Sequence, residues 1–222
     1  MISDIHCTQD FLDDLILRYP QLAPCRESIQ NAYLLIARCY HNQRKLLLCG
    51  NGGSAADCEH IVGELMKGFL SGRALRRDDF AGREGREAQT DHLLAHLQGA
   101  LPAISLCSPP ALITAIENDL GGDFTFAQQI MGLGSAGDCL LGISTSGNAS
   151  NVCLAMAAGR LRDMNLIGLT GKDGGQLREL CDVCICVDAT STYQVQELHL
   201  PVYHCLCAML EHSFFEERGS YE

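Results

Sequence analysis

Residues 45–54 read KLLLCGNGGS, and residues 138–151 read DCLLGISTSGNASN. Each is a short apolar run that stops at a turn rich in glycine or serine and leads into a helix-like segment. A continuous apolar run of four to eight residues suits a strand covered on both faces, as strands of a parallel sheet are. Three further runs share this character: Leu101–Leu106, Asn165–Gly171 and Asp182–Val187. Helix-like segments at Ser54–Phe69, Pro109–Glu117, Phe124–Leu133 and Ser150–Arg162 alternate with the runs. The alternation predicts an α/β fold of three layers, a five-stranded parallel sheet flanked by helices and joined by right-handed crossovers.

Two long helical segments flank this core. Asp10–Asn42 precedes it and should break near Tyr19–Pro20, because a residue before proline disfavours the helical region. Thr192–Glu217 follows it, with Val195, Leu198, Val202, Leu206, Met209 and Leu210 at helical spacing. Pro201 inside this segment should kink it or move its start. Between the first and second runs, Ser71–Gly99 is dense in Arg, Asp, Glu and Gly. It reads either as a solvated insertion ending in a short helix around Gln89–Gln98, or as a lid or subunit-contact arm. At 222 residues the chain is read as one domain, residues 1–222, with a helical segment about 8–43 and the charged insertion about 71–99.

Lys and Arg number 16 against 27 Asp and Glu, a net charge of −11. That excess argues against a nucleic-acid binder, which needs a basic footprint, and against a polybasic membrane anchor. No run approaches the ~18 apolar residues of a membrane span, and MISDIHCTQDFLDDL carries acids where a signal peptide carries bases. The expectation is a cytoplasmic protein whose 13 cysteines are reduced and mostly buried. Cys181 and Cys184 spell CxxC, but no second pair at metal spacing exists. With Cys186 they are expected to act as small hydrophobes of a strand.

Five places carry chemistry. In Asn51–Ser54 the glycines Gly52 and Gly53 allow a ligand to approach backbone, and Ser54 can cap the helix or donate to a ligand. A plain strand-to-helix turn would look the same. Ser144, Thr145 and Ser146, beside Gly147 and ahead of Ser150, offer hydroxyls, amides and a helix N-terminus to a phosphate monoester. The stretch lacks the Gly-Lys-Ser/Thr ending of a nucleotide loop and is not GxGxxG. His60 and Glu64 lie one helical turn apart and can share a metal or a proton, or form an ordinary surface pair. Gln196 and His204 are eight apart, about 80° on an ideal helix, whereas His199 lies about 140° from His204 and should face elsewhere. Asn118 and Asp119 sit in a polar turn that could meet sugar hydroxyls or merely form an Asx turn.

Taken together, CGNGGSAADCEH, GISTSGNASN, LTGKDGG and VQELHLPVYH resemble the sugar isomerase (SIS) family, in its phosphoheptose isomerase branch, over most of Lys45–Glu217. The resemblance implies a homotetramer with active sites at subunit contacts. It also implies conversion of sedoheptulose 7-phosphate to D-glycero-D-manno-heptose 7-phosphate through an enediol, often with one zinc ion per site. His60, Glu64, Gln196 and His204 match the family's metal positions, with Glu64 the implied base and His204 the implied acid. Asn51, Ser54 and Asp119 match substrate positions, and Ser144–Ser146 match the phosphate loop. Ala149 stands where the family usually has serine, followed here by Ser150. Two other readings remain open. One is a non-catalytic regulator that binds the replication initiator DnaA, against which His204 speaks, because the known example lacks it. The other is a sugar-phosphate sensor without turnover.

Overall fold

The computed structural model describes residues 7–80 and 87–216. Residues 81–86 of the expected insertion, both chain ends and the last residue of the expected C-terminal helix lie outside them.

All five apolar runs are strands: β1 (Leu46–Gly50), β2 (Ala103–Ser105), β3 (Cys139–Ser144), β4 (Asn165–Gly171) and β5 (Val183–Val187). They form one parallel sheet in the order β2-β1-β3-β4-β5. Side chains alternate strictly across it. Leu46 and Leu48 of β1 join one core, together with Cys139, Leu141 and Ile143 of β3. Leu47 and Cys49 join the other, together with Leu140. This is the period-2 geometry of a strand, and burial on both faces explains why these two runs are apolar throughout.

One face carries α1 (Thr8–Arg18), α2 (Arg26–His41), α3 (Gly53–Met66) and α9 (Thr192–Glu211). The other carries α6 (Thr125–Leu133), α7 (Ser150–Leu161) and the one-turn α8 (Leu177–Leu180). The remaining helices are α4 (Glu87–His96), in the insertion, and α5 (Pro110–Asp119). The break at Tyr19–Pro20 is present, where α1 gives way to a 3-10 turn over Pro20–Cys25. At Pro201 the expected interruption does not occur, and α9 runs through it. The carbonyl that loses its donor belongs to Glu197, an exposed residue, so water can satisfy it. Beyond α9, His212–Glu216 form a π-helical turn. No helix among the described residues is long and apolar enough to cross a membrane.

The sheet order reverses direction between β1 and β3. In open α/β sheets the crevice at the carboxyl ends of such a pair is where ligands bind. Both loops singled out from the sequence end there: Asn51–Gly52 after β1 and Thr145–Ala149 after β3.

Candidate active site

The loop after β1 turns at Gly52, which is the N-cap of α3 with φ 55°. Ser54 therefore does not cap the helix as expected. It lies inside the first turn and is buried, its Cβ against Gly50. A side chain at Gly53 is excluded, because a Cβ there would stand 2.3 Å from Gln196 Nε2. Gln196 of α9 thus lies directly over the start of α3.

The loop after β3 is built largely from its own backbone. Gly147 has φ 69°, and a Cβ on it would meet the Gly174 carbonyl at 1.9 Å. Leu177 N donates to Gly147 O at 2.9 Å, and Gln176 N donates to Asn148 Oδ1 at 3.1 Å. Asn148 Nδ2 donates to Ser146 O at 2.9 Å. The LTGKDGG stretch is therefore the buttress of this loop. Ser144 is buried at the end of β3, Thr145 and Ser146 are half-buried, and Ser150 is exposed at the first position of α7. Ala149 occupies the N-cap, so no side chain competes for the first free amides of that helix. The two loops are joined across the crevice by a reciprocal amide pair. Asn51 Nδ2 donates to Asn151 Oδ1 at 2.8 Å, and Asn151 Nδ2 donates to Asn51 Oδ1 at 2.9 Å.

The second half of the site is the seam between α3 and α9. Gln196 meets Gly53, Tyr203 meets Asp57 and His60, and Glu211 meets Phe69 and Leu70, so the helices run side by side in the same sense. In the middle, His60 Nε2 lies 3.1 Å from Glu64 Oε1 and 3.4 Å from His204 Nε2. On its other side His60 Nδ1 bonds Tyr203 Oη at 3.0 Å, and Tyr203 Oη donates to Asp57 Oδ1 at 3.3 Å. The His60 and His204 rings stand edge to face at 4.9 Å, and Phe69 packs at 5.5 Å from His204. Burial and the neighbouring His60 lower the His204 pKa, with Glu64 opposing. Burial raises Asp57, with the Tyr203 hydrogen bond and His60 opposing.

The structure brings His60, Glu64 and His204 together, but Gln196 stays apart. Gly53, which Gln196 covers, is seven residues before His60, about 10 Å of helical rise. His199 faces away from the seam as expected. It is fully buried, and burial lowers its pKa to about 4, with a backbone contact to Thr170 opposing. Asn118 and Asp119 are not in a turn. They are the last two residues of α5, exposed, with Asn118 Nδ2 donating to Asp119 Oδ1 at 2.8 Å. Cys181, Cys184 and Cys186 are half-buried free thiols, with Cys184 and Cys186 sulfurs 3.7 Å apart. Asp57, Tyr203 and Asn151 belong to the site but escape a reading of the sequence, because their partners are 100 or more residues away.

Two imidazole nitrogens and a carboxylate oxygen are donors that suit zinc. A tetrahedral shell with bonds of about 2.0–2.1 Å has edges of about 3.3 Å, close to both contacts of His60 Nε2. Among the described residues, however, no three His, Cys, Asp or Glu side chains are already arranged to hold a metal ion.

The sequence matches the SIS domain family over two overlapping stretches, residues 14–106 and 93–171. It is 40% identical over 189 residues to the phosphoheptose isomerase of a Nitratiruptor species, covering 85% of this chain and 88% of that one. Against phosphoheptose isomerase 2 of Campylobacter jejuni the identity is 37% over 187 residues, covering 84% and 81%. The solved phosphoheptose isomerase of Neisseria gonorrhoeae superposes with a TM-score of 0.68 at 31% identity, covering 90% of this chain and 97% of that one. That of Francisella tularensis gives 0.70 at 28%, covering 92% and 96%. The chain belongs to the SIS domain family, in the branch of the phosphoheptose isomerases.

Proposed function

We propose that the protein is a phosphoheptose isomerase, interconverting sedoheptulose 7-phosphate and D-glycero-D-manno-heptose 7-phosphate. The observation that carries this is the convergence of Glu64 and His204 on one point beside His60, on the same fold as a loop suited to a phosphate monoester. Aldose–ketose exchange moves one proton between adjacent carbons while the carbonyl changes place. Glu64 takes the proton from C1 of the ketose, and His204 donates a proton to O2, giving the enediol. Glu64 then returns its proton to C2 while His204 takes the O1 proton, leaving the C1 carbonyl of the aldose. A lowered pKa keeps His204 neutral near pH 7, with one N–H to give and one lone pair to receive. The phosphate is held by Thr145, Ser146, Ser150 and the free amides at the start of α7, at the positive end of the helix dipole. Asn51, Gly52, Gly53 and Gln196 line the sugar path, with Ser54 behind them, buried and shaping the turn. Asp119, by the family pattern, and Asn118 beside it are substrate contacts. Zinc would be held by His60, Glu64, Gln196 and His204, and would supply a Lewis acid to the substrate carbonyl.

The two halves of the site are far apart within one chain. Glu64 is eleven residues along α3 from Gly53, about 16 Å of rise. An extended seven-carbon phosphate spans about 10 Å from C1 to phosphorus, at about 1.2 Å per bond. The seam is also open, since Asn51, Gly52, Gly53 and His60 are exposed. We therefore infer a homo-oligomer, a tetramer by the family pattern, in which the loop of one copy serves the seam of another. The reading is of a cytoplasmic enzyme with a small phosphosugar as substrate and neither nucleic acid nor membrane as partner.

The experiment is turnover of sedoheptulose 7-phosphate in D2O, by metal-free protein and with zinc added. Aldoheptose phosphate carrying solvent deuterium at C2 is expected, because the proton passes through an exchangeable base. Binding of the phosphosugar without product in either condition would contradict the isomerase and leave a sugar-phosphate sensor.

A further inference from the structure

Beyond Glu64 and His204, the seam ends in a buried joint that no step of the reaction uses. Glu211, the last residue of α9, is two turns past His204, and its side chain is 1% exposed. Its carboxylate accepts four hydrogen bonds. Oε1 takes Phe69 N at 2.8 Å and Arg73 Nε at 2.6 Å; Oε2 takes Leu70 N at 2.7 Å and Ser71 N at 3.1 Å. Arg73 is fully buried beside it, and its two other nitrogens turn back onto α3. Nη1 donates to Leu65 O at 2.6 Å and Nη2 to Glu64 O at 2.8 Å. The Glu64 carbonyl so held belongs to the residue whose carboxylate meets His60. Arg73 adopts φ 42°, a left-handed conformation uncommon for a non-glycine residue.

The joint therefore links the two helices at their carboxyl ends. Arg73 grips the last turn of α3 through backbone carbonyls, Glu211 is part of α9, and the ion pair joins them. Sliding α3 along α9 would break several charge-assisted hydrogen bonds between buried side chains. We propose that Arg73 and Glu211 are positioning residues for proton transfer: their ion pair fixes the offset of α3 against α9 and so holds His60 and Glu64 in register with His204. This rests on the isomerase reading for its consequence in turnover. Neither side chain lies at the carboxyl ends of the strands, where the phosphate loop is, so binding of the phosphate end should be spared.

The variant that separates positioning from folding is Arg73→Met/Glu211→Gln, which removes both charges together and leaves no unpaired buried ion. Once its melting curve and oligomeric size show it folded, kcat should fall about 100-fold, the cost of about 1 Å of misplacement at a reacting group. KM for sedoheptulose 7-phosphate should stay within twofold. A folded variant with kcat within twofold of wild type overturns the proposal. A crystal structure of the variant gives a readout independent of turnover. His204 Nε2 should move away from His60 Nε2, and a separation still at 3.4 Å contradicts the proposal. If wild type itself turns nothing over, the isomerase reading falls and this structural arm alone decides. Should the double variant not fold, Arg73→Lys carries the same two measurements, because it keeps a cation beside Glu211 but lacks the planar fork that reaches both carbonyls.

Discussion

In the proposed isomerase the loop after β3 and the seam between α3 and α9 serve one reaction, but they are built in opposite ways. The loop is held by its own backbone and by the neighbouring 171–177 turn, through Gly147, Asn148, Gly174 and Leu177. The seam is held by side chains that bridge residues about 140 apart, in the His60–Tyr203, His60–His204 and Arg73–Glu211 contacts. A backbone cradle presents neutral dipoles, which suit an anion and do not titrate. A seam of ionisable side chains moves protons, and it inherits their sensitivity to pH and to the loss of a single partner.

The largest effect separating the two regions should come from Ser146→Asp. It puts a carboxylate where the phosphate docks, and like-charge repulsion should raise KM for the phosphosugar by about 100-fold, equivalent to about 3 kcal/mol. The seam is untouched, so kcat at saturation should stay within a few fold. A variant with unchanged KM would place the phosphate elsewhere.

An effect of similar size should mark the seam helix in acid. His199, on α9 between Gln196 and Tyr203, is buried with its pKa lowered to about 4 from 6.5. Between those values the unfolded chain binds the proton and the folded one does not. Stability from this group is therefore complete above pH 6.5 and declines as pH falls towards 4, by roughly 3 kcal/mol in all. Melting temperatures across that range should drop in wild type and drop less in His199→Leu, after subtraction of its own offset at pH 7. Parallel slopes for the two proteins would show that His199 is not the group responsible.

The same contrast explains what can be read from the sequence. The sheet is legible because β1, β3 and β4 are buried on both faces; only β2, whose Ile104 is exposed, is markedly shorter than its run. The loops are legible because their partners are near in sequence. Within the seam, His60–Glu64 shows as an i,i+4 pair, whereas Asp57, Tyr203, Arg73 and Glu211 do not stand out. Their roles arise only when α9 docks beside α3, and an Arg or Glu in a polar or helical segment normally reads as solvated. Ser54 reads as a cap, but Gly52, at φ 55°, starts the helix earlier. Asn118 and Asp119 look like a turn because Asn, Asp and two glycines lie close together, yet α5 continues through both.

Complementation between variants tests the division of the site most directly. Glu64→Gln disables the seam and Ser146→Asp disables the loop; each alone should turn over little sedoheptulose 7-phosphate at a concentration near the wild-type KM. If the loop of one copy serves the seam of another, unfolding and reassembling the two together at equal amounts makes about a quarter of the sites whole by random pairing. About a quarter of wild-type turnover is then expected. A mixture no more active than its parts, with mixed oligomers confirmed by native mass spectrometry, would contradict the account.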